Sequence, residues 1–110
     1  MALAQNFFAA LVNKNFSALP LAADIVMESP ISPRLSGLES VLEFLEGLAS
    51  VTKEVRLLDS FGEGNKLAVE FELKTAEGVI AGFECFEIVN GQIKRMRPYF
   101  DARPLLGSTT

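Results

Sequence analysis

One dipeptide constrains this chain more than any other feature. Asn90-Gly91 separates two runs rich in apolar, β-branched and aromatic residues, Phe83 to Val89 and Gln92 to Phe100. Both residues of such a pair accept the positive φ that a two-residue hairpin turn requires, so the sequence predicts an antiparallel strand pair in a fixed register. Counting outward from the turn sets Val89 against Gln92, Ile88 against Ile93, Glu87 against Lys94, Cys85 against Met96 and Glu84 against Arg97. Glu84 would then face a guanidinium among Phe83, Cys85 and Phe86, the most apolar neighbourhood of any acid in the chain.

The pattern upstream of this hairpin supplies the rest of an architecture. Leu3, Phe7, Ala10 and Leu11 recur at helical spacing, with Phe8 and Val12 widening the stripe, so 2–12 reads as a helix ended by Asn13-Lys14-Asn15. A short second helix is expected over Phe16 to Leu21, followed by a strand at Ile25 to Met27 and an extended segment enforced by Pro30 and Pro33. Ser36 with Glu39 reads as a capping box that opens a helix to Ala49, with Leu38, Val41, Leu42, Leu45 and Leu48 as its buried stripe. Four strands then follow at Glu54 to Phe61, Lys66 to Lys74, Val79 to Val89 and Gln92 to Phe100; in the second, Leu67, Val69, Phe71 and Leu73 alternate with Glu70 and Glu72. Helices followed by a meander predict an α+β domain over 1–110, with helices on one face of a curved, mainly antiparallel sheet.

Composition narrows the chemistry. Fourteen acids outnumber ten scattered bases, for a formal charge of −4, which argues against a nucleic-acid partner. There is no histidine and only one cysteine, so Ser-His-Asp and Cys-His nucleophilic sites are excluded, as is a structural zinc site, and neither a metal nor an organic cofactor is expected. No apolar run approaches the roughly 20 residues of a membrane span. The segment from Met1 to Val12 carries Gln5 and Asn6 and no basic flank, unlike a secretory signal, so the expected location is cytoplasmic.

Ala22 to Pro30, a loop to Gly37 that opens a helix, Phe86 to Ile93, and Arg97-Pro98-Tyr99-Phe100-Asp101 carry a family resemblance over nearly the whole chain. The chain resembles the NTF2-like cone shared by nuclear transport factor 2, ketosteroid isomerase, limonene epoxide hydrolase and SnoaL-like polyketide-cyclase-type proteins. The resemblance implies a pocket between helices and sheet, often within dimers, without implying one chemistry. Of the ketosteroid isomerase residues, the general-base aspartate corresponds to Ser29, the oxyanion-binding tyrosine to Phe7, and the buried aspartate before the final hairpin to Glu84. Of the epoxide hydrolase residues, the final-strand aspartate corresponds to Pro98, the water-holding tyrosine and asparagine to Met27 and Ser29, and an internal Arg and Asp fall near Glu70 and Glu72.

Glu84 is thus the candidate catalytic residue, with Arg97, Ser29, Tyr99, Phe7 and Met27 as candidate ligand contacts. Burial would raise the Glu84 pKa and Arg97 would lower it; the plainer alternative is a cross-strand ion pair that only satisfies two polar groups. Glu70 meets Glu84 only if the turn around Thr75-Ala76-Glu77-Gly78 holds three residues, and a turn of two or four puts Glu70 and Glu72 on the other face. Cys85 is expected in the core, and Phe7, Phe8, Phe44 and Met27 as core or cavity wall. The function expected is binding of a small, largely apolar molecule with a polar group, by a homodimer. Carboxylate acid-base catalysis of isomerisation, cyclisation, dehydration or hydration would be its enzymatic form. The alternative is a non-catalytic module for dimerisation or protein interaction.

Overall fold

The computed structural model describes residues 2–30 and 32–101. Helix α1 (Ala2–Asn13) precedes β1 (Leu21–Met27) and the short β2 (Leu35–Ser36); α2 (Leu38–Val51) then leads into β3 (Thr52–Glu63), β4 (Lys66–Thr75), β5 (Gly78–Val89) and β6 (Gln92–Phe100). The six strands form one open, curved sheet in the order β2-β1-β6-β5-β4-β3. The β1/β6 pair is parallel and the remaining pairs are antiparallel.

Both helices lie on the same face of this sheet, and the alternation in the strands shows why. Leu67, Val69, Phe71 and Leu73 of β4 are buried, whereas Ala68, Glu70 and Glu72 between them are not. The buried row is apolar enough to need a second layer. Phe7, Phe8 and Leu11 of α1 with Val41, Leu45 and Ala49 of α2 supply it. Phe86, Phe7, Phe8 and Phe71 form a chain of ring contacts with centroids 5.1, 5.1 and 5.2 Å apart, which links β5 through α1 to β4. Lys14 donates to the carbonyls of Ala49 and Thr52, placing a cation at the C-terminal end of α2 where the helix dipole favours it.

Three local expectations are corrected. No helix forms at Phe16 to Leu21; the Leu19 amide closes a turn on the Phe16 carbonyl, and the chain enters β1 with the Pro20 carbonyl accepting from the Ile93 amide. The capping box at Ser36 is not made, because Ser36 is drawn into β2 against Val26 and Gly37 takes the cap position with its own N–H donating to Ile25. The third correction concerns register. Asn90 and Gly91 do adopt positive φ, 53° and 76°, and Val89 and Ile88 face Gln92 and Ile93 as counted. Beyond them β6 carries one extra residue, Lys94, so Glu87 faces Arg95, Phe86 faces Met96, Cys85 faces Arg97 and Glu84 faces Pro98. This is a β-bulge, and it moves every later partner by one position.

On β5 the sheet draws in tightly at Gly82. A Cβ there would sit 2.2 Å from the Tyr99 carbonyl oxygen, a backbone atom with no freedom to move aside. Gly47 is the opposite case, on the exposed side of α2 with nothing within 4 Å of its missing Cβ. Gly82→Ala should therefore lower unfolding free energy by about 1–3 kcal/mol by forcing β5 from β6. Gly47→Ala should raise it by about 0.4–1 kcal/mol. Urea denaturation of the two variants checks both signs.

Candidate functional site

β5 turns Ile80, Gly82, Glu84 and Phe86 toward the helices, so the strand's own alternation carries an acid into the core. Glu84 is 5% exposed and is flanked in the sheet by Val69 on β4 and Pro98 on β6. Neither neighbour offers a hydrogen-bonding side chain. Its Oε2 is fully buried and has no hydrogen-bond partner among the described residues. Burial pushes the Glu84 carboxyl well above the usual glutamate range, with no nearby charge to offset it. That shift favours the protonated form, which has an O–H to donate and no acceptor among the described residues.

That carboxyl lines a small cavity between the layers. Its walls come from both helices and four strands, including Phe8, Met27, Phe44, Phe71, Pro98 and Phe100. The open space is about 20 Å³, close to the ~10–15 Å³ needed for one water. Among the described residues that line it, Glu84 alone has a polar side chain to offer such a water.

The structure brings only some of the candidate residues to this point. Met27, Phe8 and Phe44 line the cavity, and Phe7, 1% exposed, stands one ring back, packed edge-on against Phe8 and Phe86. Arg97 and Tyr99 do not reach it. They project from the opposite face of the sheet, Tyr99 at 54% exposure, so the inferred Glu84 to Arg97 pair does not exist. Ser29 lies in the loop after β1 with its hydroxyl 3.0 Å from that of Ser32. Glu70 and Glu72 face Phe83 and Ala81 across a two-residue turn at Ala76-Glu77, on the outer face, leaving Val69 and Phe71 as the inward residues of β4. Cys85 is also outside the core, half-buried opposite Arg97. Burial raises the pKa of its thiol, the Glu84 charge would add to that and Arg97 opposes it.

The sequence count missed Pro98 and Phe100 as cavity residues, and no local signal marks the bulge that places them there. Among the described residues no group of three His, Cys, Asp or Glu side chains converges as a metal site would require.

On the outer face, Arg97, Cys85, Ala68 and Phe61 border a shallow groove of about 250 Å³. Beside it Arg95 donates from Nε and from a terminal nitrogen to one oxygen of Glu28, at 3.0 and 2.6 Å, with Arg34 4.0 Å from the other oxygen. The Arg95 hydrogen bonds hold the Glu28 carboxyl below its ordinary pKa.

Comparison with known proteins agrees with this layout. The sequence model of the SnoaL-like domain matches residues 4–96. The chain belongs to the SnoaL-like family. Among solved structures it is similar to an NTF2-like protein of unknown function from Cytophaga hutchinsonii, at 25% identity and a TM-score of 0.79, covering 94% of this chain and 91% of that one. It also shares its fold with an LEH-like epoxide hydrolase from M. tuberculosis (22% identity, TM-score 0.73, covering 96% and 85%). A steroid delta-isomerase from Pseudomonas aeruginosa is similar in the same way (19%, TM-score 0.76, covering 91% and 77%). Among curated proteins, none matches the chain by sequence.

The neutral state of Glu84 sets a sign for the pH dependence of stability. Its folded pKa lies above its unfolded value, so the folded chain binds the extra proton, and the stability this confers is complete below about pH 4.5 and lost as pH rises toward the folded pKa. Between those limits wild type should lose about 1.4 kcal/mol per pH unit relative to Glu84→Gln, which has no such proton. Arg97→Met should leave this difference unchanged. Denaturant melts of the three proteins from pH 4 to 8 measure it.

Proposed function

We propose that this SnoaL-like protein binds a small, largely apolar molecule carrying one uncharged hydrogen-bond acceptor, such as a carbonyl, which receives the proton of Glu84. One observation carries this reading: a carboxyl oxygen buried in an apolar cavity with no partner among the described residues. Leaving such a group unsatisfied costs about 1–3 kcal/mol, and an apolar side chain of similar size would avoid that cost. A ligand acceptor is the partner this geometry lacks. An anionic group would not serve, because its acceptor would compete for the proton and leave two negative charges in an apolar site.

As an enzyme, the pocket supports steps that one proton donor can serve. A neutral Glu84 donating to a carbonyl oxygen stabilises the negative charge that develops there during enolisation, cyclisation, dehydration or addition of water. Relatives of the fold include an isomerase and a hydrolase, which is consistent with chemistry of this kind. By the family resemblance the partner groups correspond to Ser29, Phe7 and Pro98 here, and among the described residues no second titratable side chain lines the cavity. The same carboxyl, or a water held by it, would have to take back the proton it gives.

A second reading has its own observation. The cavity has space for a single water, so a ligand enters only if Phe44, Met27 or Phe100 gives way, and a non-catalytic module would leave them in place. Glu84→Met separates the two. It removes the donor and conserves most of the volume, so it should equal or exceed wild type in melting temperature at pH 7. A thermal-shift screen of uncharged apolar ketones and lactones should find compounds that raise the wild-type melting temperature and do not raise that of Glu84→Met. A screen in which every stabilising compound acts equally on both proteins, or none acts, contradicts the pocket reading and supports the module.

A further inference from the structure

The cavity beside Glu84 approaches solvent on one side. Of its wall residues Phe44, Leu48 and Phe100 are half-buried, whereas the others are buried, Met27 among them at 1% exposure. Phe44 and Leu48 stand one turn apart on the same ridge of α2, and Phe100 ends β6. The mouth therefore lies between the second half of α2 and the end of β6.

The strand register shows which of these three side chains stands next to the acid. On the helix-facing side of the sheet one row runs Val69, Glu84, Pro98 across β4, β5 and β6, and the next runs Phe71, Gly82, Phe100. Gly82 has no side chain to fill the second row, and Phe100 is drawn over it: a Cβ on Gly82 would lie 2.7 Å from the Phe100 Cβ and 2.8 Å from its Cα. Phe100 thus reaches from the mouth to the position diagonal to Glu84, a spacing that an aromatic ring bridges. Phe71, on the other side of Gly82, is buried with its ring 5.2 Å from that of Phe8, whereas Phe100 enters no ring contact among the described residues. Phe100 also belongs to a strand end, where the next amide, that of Asp101, reaches the Ala81 carbonyl at 3.3 Å, and strand ends open at lower free energy than strand centres.

We propose that the Phe100 ring occupies the ligand's place. The ligand enters between Phe44, Leu48 and Phe100, the Phe100 ring swings out, and one ring of the ligand takes its position with a carbonyl toward Glu84. This inference rests on the reading of Glu84 as the ligand's hydrogen-bond donor, and it adds a shape to that reading. The space a phenyl ring vacates, joined to the open volume of about 20 Å³, is of the order of the ~150 Å³ in which an apolar core holds benzene. The class selected is a monocyclic ketone or lactone, and a fused pair of rings overfills the site. Phe100 sets this specificity, and every ligand is weakened by the cost of displacing it.

Dissociation constants of cyclohexanone, methylenecyclohexane and 2-decalone, measured by titration calorimetry, test the assignment. Methylenecyclohexane has the shape of cyclohexanone and no carbonyl. Phe100→Ala should bind cyclohexanone at least about tenfold more tightly than wild type, because no ring has to leave. The variant should prefer cyclohexanone to methylenecyclohexane by about fivefold or more, the worth of one hydrogen bond, and Glu84→Met in the same chain should abolish the preference. 2-Decalone should gain less than cyclohexanone; an equal or larger gain contradicts the single-ring fit. If Phe44→Ala shows the gain and the Glu84-dependent preference and Phe100→Ala does not, the role of Phe100 is overturned and the reading of Glu84 stands. If neither variant shows a preference that depends on Glu84, both are overturned. Phe100→Leu, which loses the ring and keeps an apolar side chain, should give the same order of preference with a smaller gain, and it decides the question if Phe100→Ala does not fold.

Discussion

Lys94 is one residue more than β5 needs opposite it, and the faces of the last strand follow from that. The Ile88 amide is held by the Asn65 carbonyl and the Ile93 amide by the Pro20 carbonyl, so both sides of the hairpin are fixed close to the turn. The surplus residue bulges there, and its ammonium group pairs with Asp24 on the neighbouring β1. With the bulge in place, Met96 and Pro98 point to the helices while Arg97 and Tyr99 point away. A strand in simple register would have put the guanidinium opposite Glu84 and produced a buried ion pair. The bulge leaves a carboxyl by itself.

An isolated carboxyl in an apolar core has few states open to it. Ionised, it would face a desolvation cost of several kcal/mol, a large share of the 5–15 kcal/mol that holds a domain together. Protonated, it costs far less and becomes a hydrogen-bond donor without an acceptor. The surrounding phenylalanines keep the dielectric low, which makes any bond formed to that proton stronger than it would be in water. The ring chain that closes the core also helps wall the carboxyl off from bulk solvent.

The sequence is legible wherever a local pattern has one physical outcome. Positive φ at Asn90 and Gly91, the period-two alternation of 67–73 and the leucine stripe of α2 each point to one structure. Pattern fails where tertiary contacts decide. Ser36 could cap a helix, but the edge of β1 takes its backbone first. Phe16 to Leu21 has helical content, but Pro20 and the need to pair Ile93 convert it to a strand entry. The bulge leaves no mark in composition or spacing, so the burial of Glu84 was inferred correctly and its partner was not. Arg97 and Tyr99 were read as pocket groups for the same reason, one position of register.

The central claim is that Glu84 is a protonated acid inside an apolar cavity at neutral pH. Infrared difference spectroscopy of wild type against Glu84→Gln in heavy water observes that state without reference to stability or activity. The account predicts one carbonyl band of a protonated carboxylic acid, present in wild type at pH 7 and absent from the variant, at the high frequency of an acid with no strong hydrogen-bond acceptor. A difference spectrum at pH 7 that shows only carboxylate bands would mean that Glu84 is ionised and finds its counter-charge elsewhere, and the account would be wrong.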